Sequence, residues 1–268
     1  MGRFFPYANL DEIVKNMKAN ELGTYNSKFL YPANGTFSFV EEIYSKLDKS
    51  KIVTNCSIEK IDLKHKKAIL SNGLTSEYEN LINTIPLNMF LLLLGNNYQS
   101  IVNKMTYNQV LVLNMGFDKA SPICKKEHWI YIPSKNVNYY RVGFYNNILG
   151  QEKLSIYVEI GYDSSCVINK KVIEDQVKLT LTNLQNDGII SEDMKLIDYE
   201  PIVMCPAYVH INTQVDNELS AIKENLSKEN IYTIGRYGAW TYNSMEDCMI
   251  MAKELAIKLN EGDVKNES

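Results

Sequence analysis

The segment from residue 109 to residue 162 constrains the fold more than any other part of the chain. It holds four short runs rich in β-branched and aromatic residues, at 110–117, 128–132, 139–145 and 154–160, separated by Pro- or Asn-rich turns. Runs of this length and spacing predict the strands of an antiparallel sheet. A helix over about 171–184 and a further strand near 198–204 are predicted to follow. With 268 residues the chain has room for one large core or two modest domains. The block 106–205 is therefore read as a domain of its own, set between the flanks 1–105 and 206–268.

The flanks read differently. Residues 10–19 suit a short helix in which Asn9 caps and Ile13, Val14 and Met17 share a face. The stretch Tyr31-Pro32-Ala33-Asn34-Gly35-Thr36 is a turn, after which Phe39, Val40, Ile43, Tyr44 and Leu47 recur at helical spacing. From Lys51 the pattern becomes a β-meander with runs at 52–54, 57–63 and 67–70 and a turn at Ser71-Asn72-Gly73. Ile58 and Ile61 carry its apolar side, and Lys64, His65, Lys66 and Lys67 form a solvated tip. A last run at 81–85 ends at Pro86, and a Leu-rich helical patch covers 87–94. The final quarter offers an extended Pro206-Ala207-Tyr208 stretch, an apolar strand at 231–234, a glycine turn and a closing helix. Ser244 and Asp247 are placed to cap that helix, whose Met245, Cys248, Met249, Ala252, Leu255, Ala256 and Leu259 fall on one face.

Composition removes several classes of function. Hydrophobic content of 45% and charged content of 22% are those of an ordinary globular protein. A net charge of -4 supplies no field for nucleic acid or anionic lipid, so neither is expected as a partner. The five cysteines lack C-x-x-C or metal-ligand spacing and read as free thiols, with no metal site. No secretion signal is recognised, and the apolar stretch at 89–94 falls far short of the roughly 20 residues that span a bilayer, so a cytoplasmic location is expected. The glycosylation triplets at Asn34, Asn55 and Asn225 are discounted on the same ground.

Two stretches could carry chemistry. The first is the predicted strand followed by Gly235-Arg236-Tyr237-Gly238-Ala239-Trp240 and the capped helix. Glycines admit a ligand close to the backbone, a helix start offers N–H donors, and Arg236 adds a charge with several donors. The same pattern also describes a tight turn held by an ion pair and a core tryptophan. The second stretch is His128-Trp129-Ile130-Tyr131-Ile132-Pro133 with Tyr139-Tyr140-Arg141. Alternate residues of a strand share a face, so Tyr131 and Arg141 could line one wall suited to a ring and an anionic group. Ordinary sheet packing with a surface arginine is the alternative. No nucleophile–base set, G-x-G-x-x-G or Walker loop is present.

Several of these segments, in the same order, resemble the FAD-dependent amine oxidase and protoporphyrinogen oxidase-like superfamily, and especially the eukaryotic-type UDP-galactopyranose mutases. Tyr31-Pro32-Ala33-Asn34-Gly35 is similar to the family's Tyr-Pro-x-Gly-Gly turn, with Asn34 in place of one glycine. Asn83-Thr84-Ile85-Pro86 resembles the strand end beside the cofactor, and Gly235-Arg236-Tyr237-Gly238-x-Trp240-x-Tyr242 followed by Met245-Glu246-Asp247 is the most specific match. The resemblance implies an α/β (α+β) fold: a partial FAD-binding domain with a β-meander at 1–105, a substrate domain on a mostly antiparallel sheet with flanking helices at 106–205, and a return segment at 206–268. It implies FAD as cofactor, held by Ile58, Thr84, Gly235, Arg236, Trp240, Ser244 and Met245. Tyr131, Arg141 and Tyr208 would then line the side facing a small-molecule substrate, a sugar nucleotide among the options.

The resemblance also has departures. The family's N-terminal βαβ unit with its Gly-rich loop has no counterpart before Tyr31, and Leu30 stands where a true mutase would carry a substrate-binding arginine. Three readings are expected in consequence: an FAD-dependent oxidoreductase of which this is the C-terminal portion, a mutase-like flavin-dependent isomerase, or a non-catalytic truncated module. In the last case a homo-oligomer or a separate nucleotide-binding chain would complete the site.

Overall fold

The computed structural model describes residues 29–266. The helix expected at 10–19 lies outside the described residues. In chain order the elements are α1 (Phe37–Ser45), β1 (Ile58–Asp62), β2 (Lys67–Leu70), β3 (Thr75–Glu77), β4 (Leu81–Asn83), α2 (Leu87–Leu94), α3 (Gln99–Val102), β5 (Tyr107–Phe117) and β6 (Trp129–Tyr131). They continue with β7 (Arg141–Phe144), α4 (Tyr145–Leu149), β8 (Ser155–Asp163), α5 (Lys170–Asn186), β9 (Leu196–Val209), α6 (Thr213–Lys228), β10 (Ile231–Thr233), α7 (Gly235–Gly238) and α8 (Met245–Asn266). This is the expected mixture of antiparallel sheet and flanking helices, an α/β (α+β) chain.

The described residues fall into two compact units. The first joins 29–49 to 109–205 and is built on a sheet of strand order β6-β7-β8-β5-β9, antiparallel where β6 meets β7 and β7 meets β8. Side chains alternate along each strand, so Leu111, Leu113, Met115 and Phe117 of β5, Val142 and Phe144 of β7, and Ile156, Val158 and Ile160 of β8 form one core. Val177 and Leu184 of α5 lie in the same cluster. Each fully buried chain of this size stabilises the unit by roughly 1.5–3 kcal/mol. Helix α5 starts where it does because the Asn169 side chain accepts the backbone N–H of Val172 at 3.1 Å.

The second unit joins 50–108 to 206–266. Strands β1, β2 and β3 form an antiparallel meander in which β1 and β2 are expected runs and β3 is not, with a register shift between Ile58 and Lys60. Strands β4 and β10 form a parallel pair in which Leu81, Ile82 and Asn83 face Ile231, Tyr232 and Thr233. Leu87, Phe90 and Leu91 of α2, Val215, Leu219 and Leu226 of α6, Ile231 and Trp240 make the core.

Two expectations need correction, and one helix has no counterpart among them. Residues 52–54 are irregular rather than a strand, because a 3-10 turn at Lys49–Lys51 precedes them, Val53 is exposed and Asn55 takes φ 55. Helix α6 was not anticipated, although Asn212 caps it through the N–H groups of Gln214 and Val215 and Val215, Leu219 and Leu226 share a face. On α8, only Leu255 of the expected apolar face is buried, while Met245 and Met249 are exposed. All five cysteines are free thiols. No helix among the described residues is long and apolar enough to cross a membrane.

Candidate functional site

In the first unit, cross-strand register places a row of aromatic and charged groups on the face opposite the core. Trp129 pairs with Gly143 and Gly143 with Tyr157; Tyr131 pairs with Arg141 and Arg141 with Glu159. Directly opposed residues project to the same side. Gly143 is glycine for a physical reason: a Cβ there would meet the Tyr157 ring at 2.0 Å, so the phenol lies across the strand where a side chain would stand. The Tyr157 ring also packs on Tyr145 at 5.1 Å, and Tyr145 donates to Asn114 Oδ1 at 3.3 Å. Burial pushes the Tyr157 phenol up to about 12 and raises that of Tyr145, with Glu159 adding to both. Near the same strands, the Phe29 ring meets the His128 ring edge-on at 5.0 Å and lies 6.0 Å from Trp129.

Arg141 sits in the middle of this face. Its Nη2 forms an ion pair with Glu159 Oε1, and Tyr140 Oη donates to the other carboxylate oxygen. Nη1 donates to Tyr131 Oη at 3.3 Å, and the guanidinium lies 5.8 Å from the Tyr131 ring and 5.7 Å from the Tyr157 ring. The Arg141 side chain is 23% exposed and that of Glu159 7%, so the pair is largely removed from water. Tyr131 is 61% exposed and offers its ring outward.

In the second unit, the glycine turn follows from the parallel pair. Ile234 N–H donates to Asn83 O at 3.0 Å, which carries the chain off the end of β10 into α7. Gly238 packs on the end of β4 so closely that a Cβ would meet Asn83 O at 2.6 Å and Thr84 Cα at 3.1 Å. Gly235 is the opposite case, with φ +78 and nothing within 4 Å of a Cβ position. Arg236 donates to Asn243 O at 3.1 Å and lies 4.3 Å from the Tyr242 ring and 5.5 Å from the Tyr208 ring, which stack at 5.9 Å. A carbonyl and two rings hold it, where an ion pair had been one expectation.

Helix α8 opens on a capping box. Ser244 N–H and Oγ both donate to Asp247 Oδ2 at 2.7 Å, and Asp247 N–H donates to Ser244 Oγ at 3.2 Å. The backbone N–H of Ser244, and then its hydroxyl, hold the Asp247 carboxyl below its usual range. The box thus uses the N–H groups of Ser244 and Asp247, leaves those of Met245 and Glu246 outside it, and adds a negative charge. That donor set suits a neutral carbonyl or ring edge better than a diphosphate.

The residues singled out from sequence separate accordingly. Thr84, Gly235, Arg236, Ser244, Met245 and Tyr208 belong to the second unit, with Thr84 against Gly238 and Tyr208 against Arg236. Ile58 stands at the register shift of β1, where the ladder is irregular, and packs on the cluster that contains Trp240. Trp240 itself is 2% exposed, adopts φ 53 and packs edge-on to Tyr107 within the core of the second unit. Tyr131 and Arg141 belong to the first unit and do share a face. Sequence reasoning missed Glu159, Tyr157, Gly143 and Lys223. The alternation of Tyr157 and Glu159 with Ile156, Val158 and Ile160 was the available signal for two of them. Lys223 is partly buried, which lowers its pKa, and its ammonium donates to Ala239 O at the end of the turn.

Neither a family model nor a curated protein matches the sequence. Solved structures do match. A reduced UDP-galactopyranose mutase superposes over 87% of this chain and 53% of its own, with TM-score 0.75 and 22% identity. A protein assigned as a protoporphyrinogen oxidase, from Exiguobacterium sp. 255-15, covers 92% of this chain and 57% of its own, with TM-score 0.71 and 14% identity. The chain has their fold. The mutase-like fold extends to a CLA-producing fatty acid isomerase from P. acnes, with TM-score 0.60, 15% identity, and 84% and 52% of the two chains covered. The chain spans about half the length of the solved structures it matches.

Proposed function

We propose that this chain carries the flavin-facing turn and the substrate-side sheet of an FAD-dependent oxidoreductase. The observation that carries this reading is the turn from Gly235 to Asp247: open space at Gly235, an arginine fixed by two stacked tyrosines, and a helix start with two N–H groups outside its cap. Its donors fit the ring side of FAD. In this reading Gly235, Arg236, Ser244 and Met245 lie against the cofactor, Thr84 and the Ile58 backbone border it, and Trp240 keeps the turn in place. FAD, when bound, supplies the electron-transfer chemistry. The chain's residues hold and orient it, while the face around Tyr131 and Arg141 receives a small molecule.

The test is an absorbance spectrum of the purified 268-residue chain after incubation with FAD and gel filtration. Flavin bands should remain with the protein and should fall away in Gly235→Val, which places a branched side chain in the open space. A colourless wild-type protein counts against cofactor binding by this chain.

A second reading, a mutase-like flavin-dependent isomerase, is supported by the likeness to the reduced UDP-galactopyranose mutase. It requires Arg141 to engage a nucleotide diphosphate. The ion pair with Glu159 bears directly on that requirement.

A further inference from the structure

The aromatic face of the first unit is charge-balanced before any ligand arrives. Arg141 is paired with a carboxylate that is itself almost wholly withdrawn from water, and the second oxygen of that carboxylate is taken by Tyr140. A phosphate seeking Arg141 would have to displace Glu159 from its guanidinium and then share a low-dielectric space with it, which like charges oppose. What the face presents outward beside that pair is the exposed ring and hydroxyl of Tyr131, flanked by the partly buried rings of Trp129 and of Tyr157, which lies over Gly143. Flat rings interleaved with hydroxyl donors and acceptors suit the apolar face and the hydroxyl edge of a small polar ring.

We infer that this face selects an uncharged, hydroxyl-bearing ring compound, a neutral sugar or glycoside, and that Glu159 is the residue that sets it against phosphate-bearing ligands. The inference rests on reading this face as the substrate side. It needs no cofactor.

Two probes decide it, phenyl β-D-galactopyranoside and UDP, each titrated against the full chain by calorimetry and ligand-observed NMR. The wild-type protein should bind the glycoside saturably and show no saturable binding of UDP over the same range. Glu159→Gln releases the Arg141 charge and should tighten UDP binding by about tenfold or more. Because removing one member of a buried pair can unfold a protein, a second variant, Arg141→Met combined with Glu159→Leu, replaces the pair by apolar groups. It should stay silent to UDP. Saturable UDP binding by the wild-type chain that is lost in the double variant overturns the inference, and so does failure of the wild-type chain to bind the glycoside. Retained flavin with no glycoside binding removes the ligand class alone, whereas glycoside binding by a colourless chain removes the cofactor reading alone.

Discussion

Gly143 and Tyr157 are two halves of one device. The missing side chain of the first is the resting place of the second, and the phenol so placed is held near 12 by burial. Gly143→Ala should push the ring off the strand, cost about 1–3 kcal/mol in urea unfolding, and bring the Tyr157 titration down toward its ordinary value of 10.0. An unchanged phenol titration would show that the ring does not depend on the glycine. Tyr131 and Arg141 were legible in the sequence because strand alternation puts them on one side. Alternation also puts Glu159 on that side of β8, but its pairing with Arg141 was not legible, since which residue faces Arg141 depends on the register of β7 on β8. That register is set across α4, a five-residue helix ending at Gly150 in the left-handed region, and no periodicity announced it.

The cap of α8 was readable at the level of the element, because Ser244 and Asp247 stand at the spacing that a capping box needs. Its pH dependence follows from the lowered Asp247 pKa. A carboxyl stabilised in the folded state contributes fully above its free value of 3.8 and loses that contribution as pH falls through the folded value. The urea midpoints of wild type and Asp247→Asn should therefore differ at neutral pH and converge only as the pH falls through the folded value, which lies below 3.8. A gap that persists in acid would mean that the carboxylate charge is irrelevant to the cap. Strands β1, β2, β5 and β8 were likewise visible as alternating or apolar runs. The parallel partnership of β4 with β10 was not, because each strand is three residues long and its mate lies far along the chain. Helix α6 escaped because its apolar residues are spread thinly among charges, and only the cap at Asn212 marks its start.

On the scale of the molecule, the two units hold separate cores, and the chain spans about half the length of the structures it matches. Among the described residues the parallel pair has no third strand, and Ile82, Ile85 and Met89 beside it are exposed. Parallel sheets are normally covered on both faces, and a two-stranded sheet is marginal alone. This chain should therefore bind anilinonaphthalene sulfonate and associate as its concentration rises, and Ile82→Lys with Ile85→Lys should reduce both effects. Sedimentation as a dye-silent monomer at all concentrations would mean that the surface is not a liability. The pairing of Leu81 with Ile231 also imposes a schedule on synthesis. Everything from 109 to 205 leaves the ribosome before β10 exists, so the first unit can close around its inserted stretch while the early half of the second waits, unpaired, for the last strand to be made.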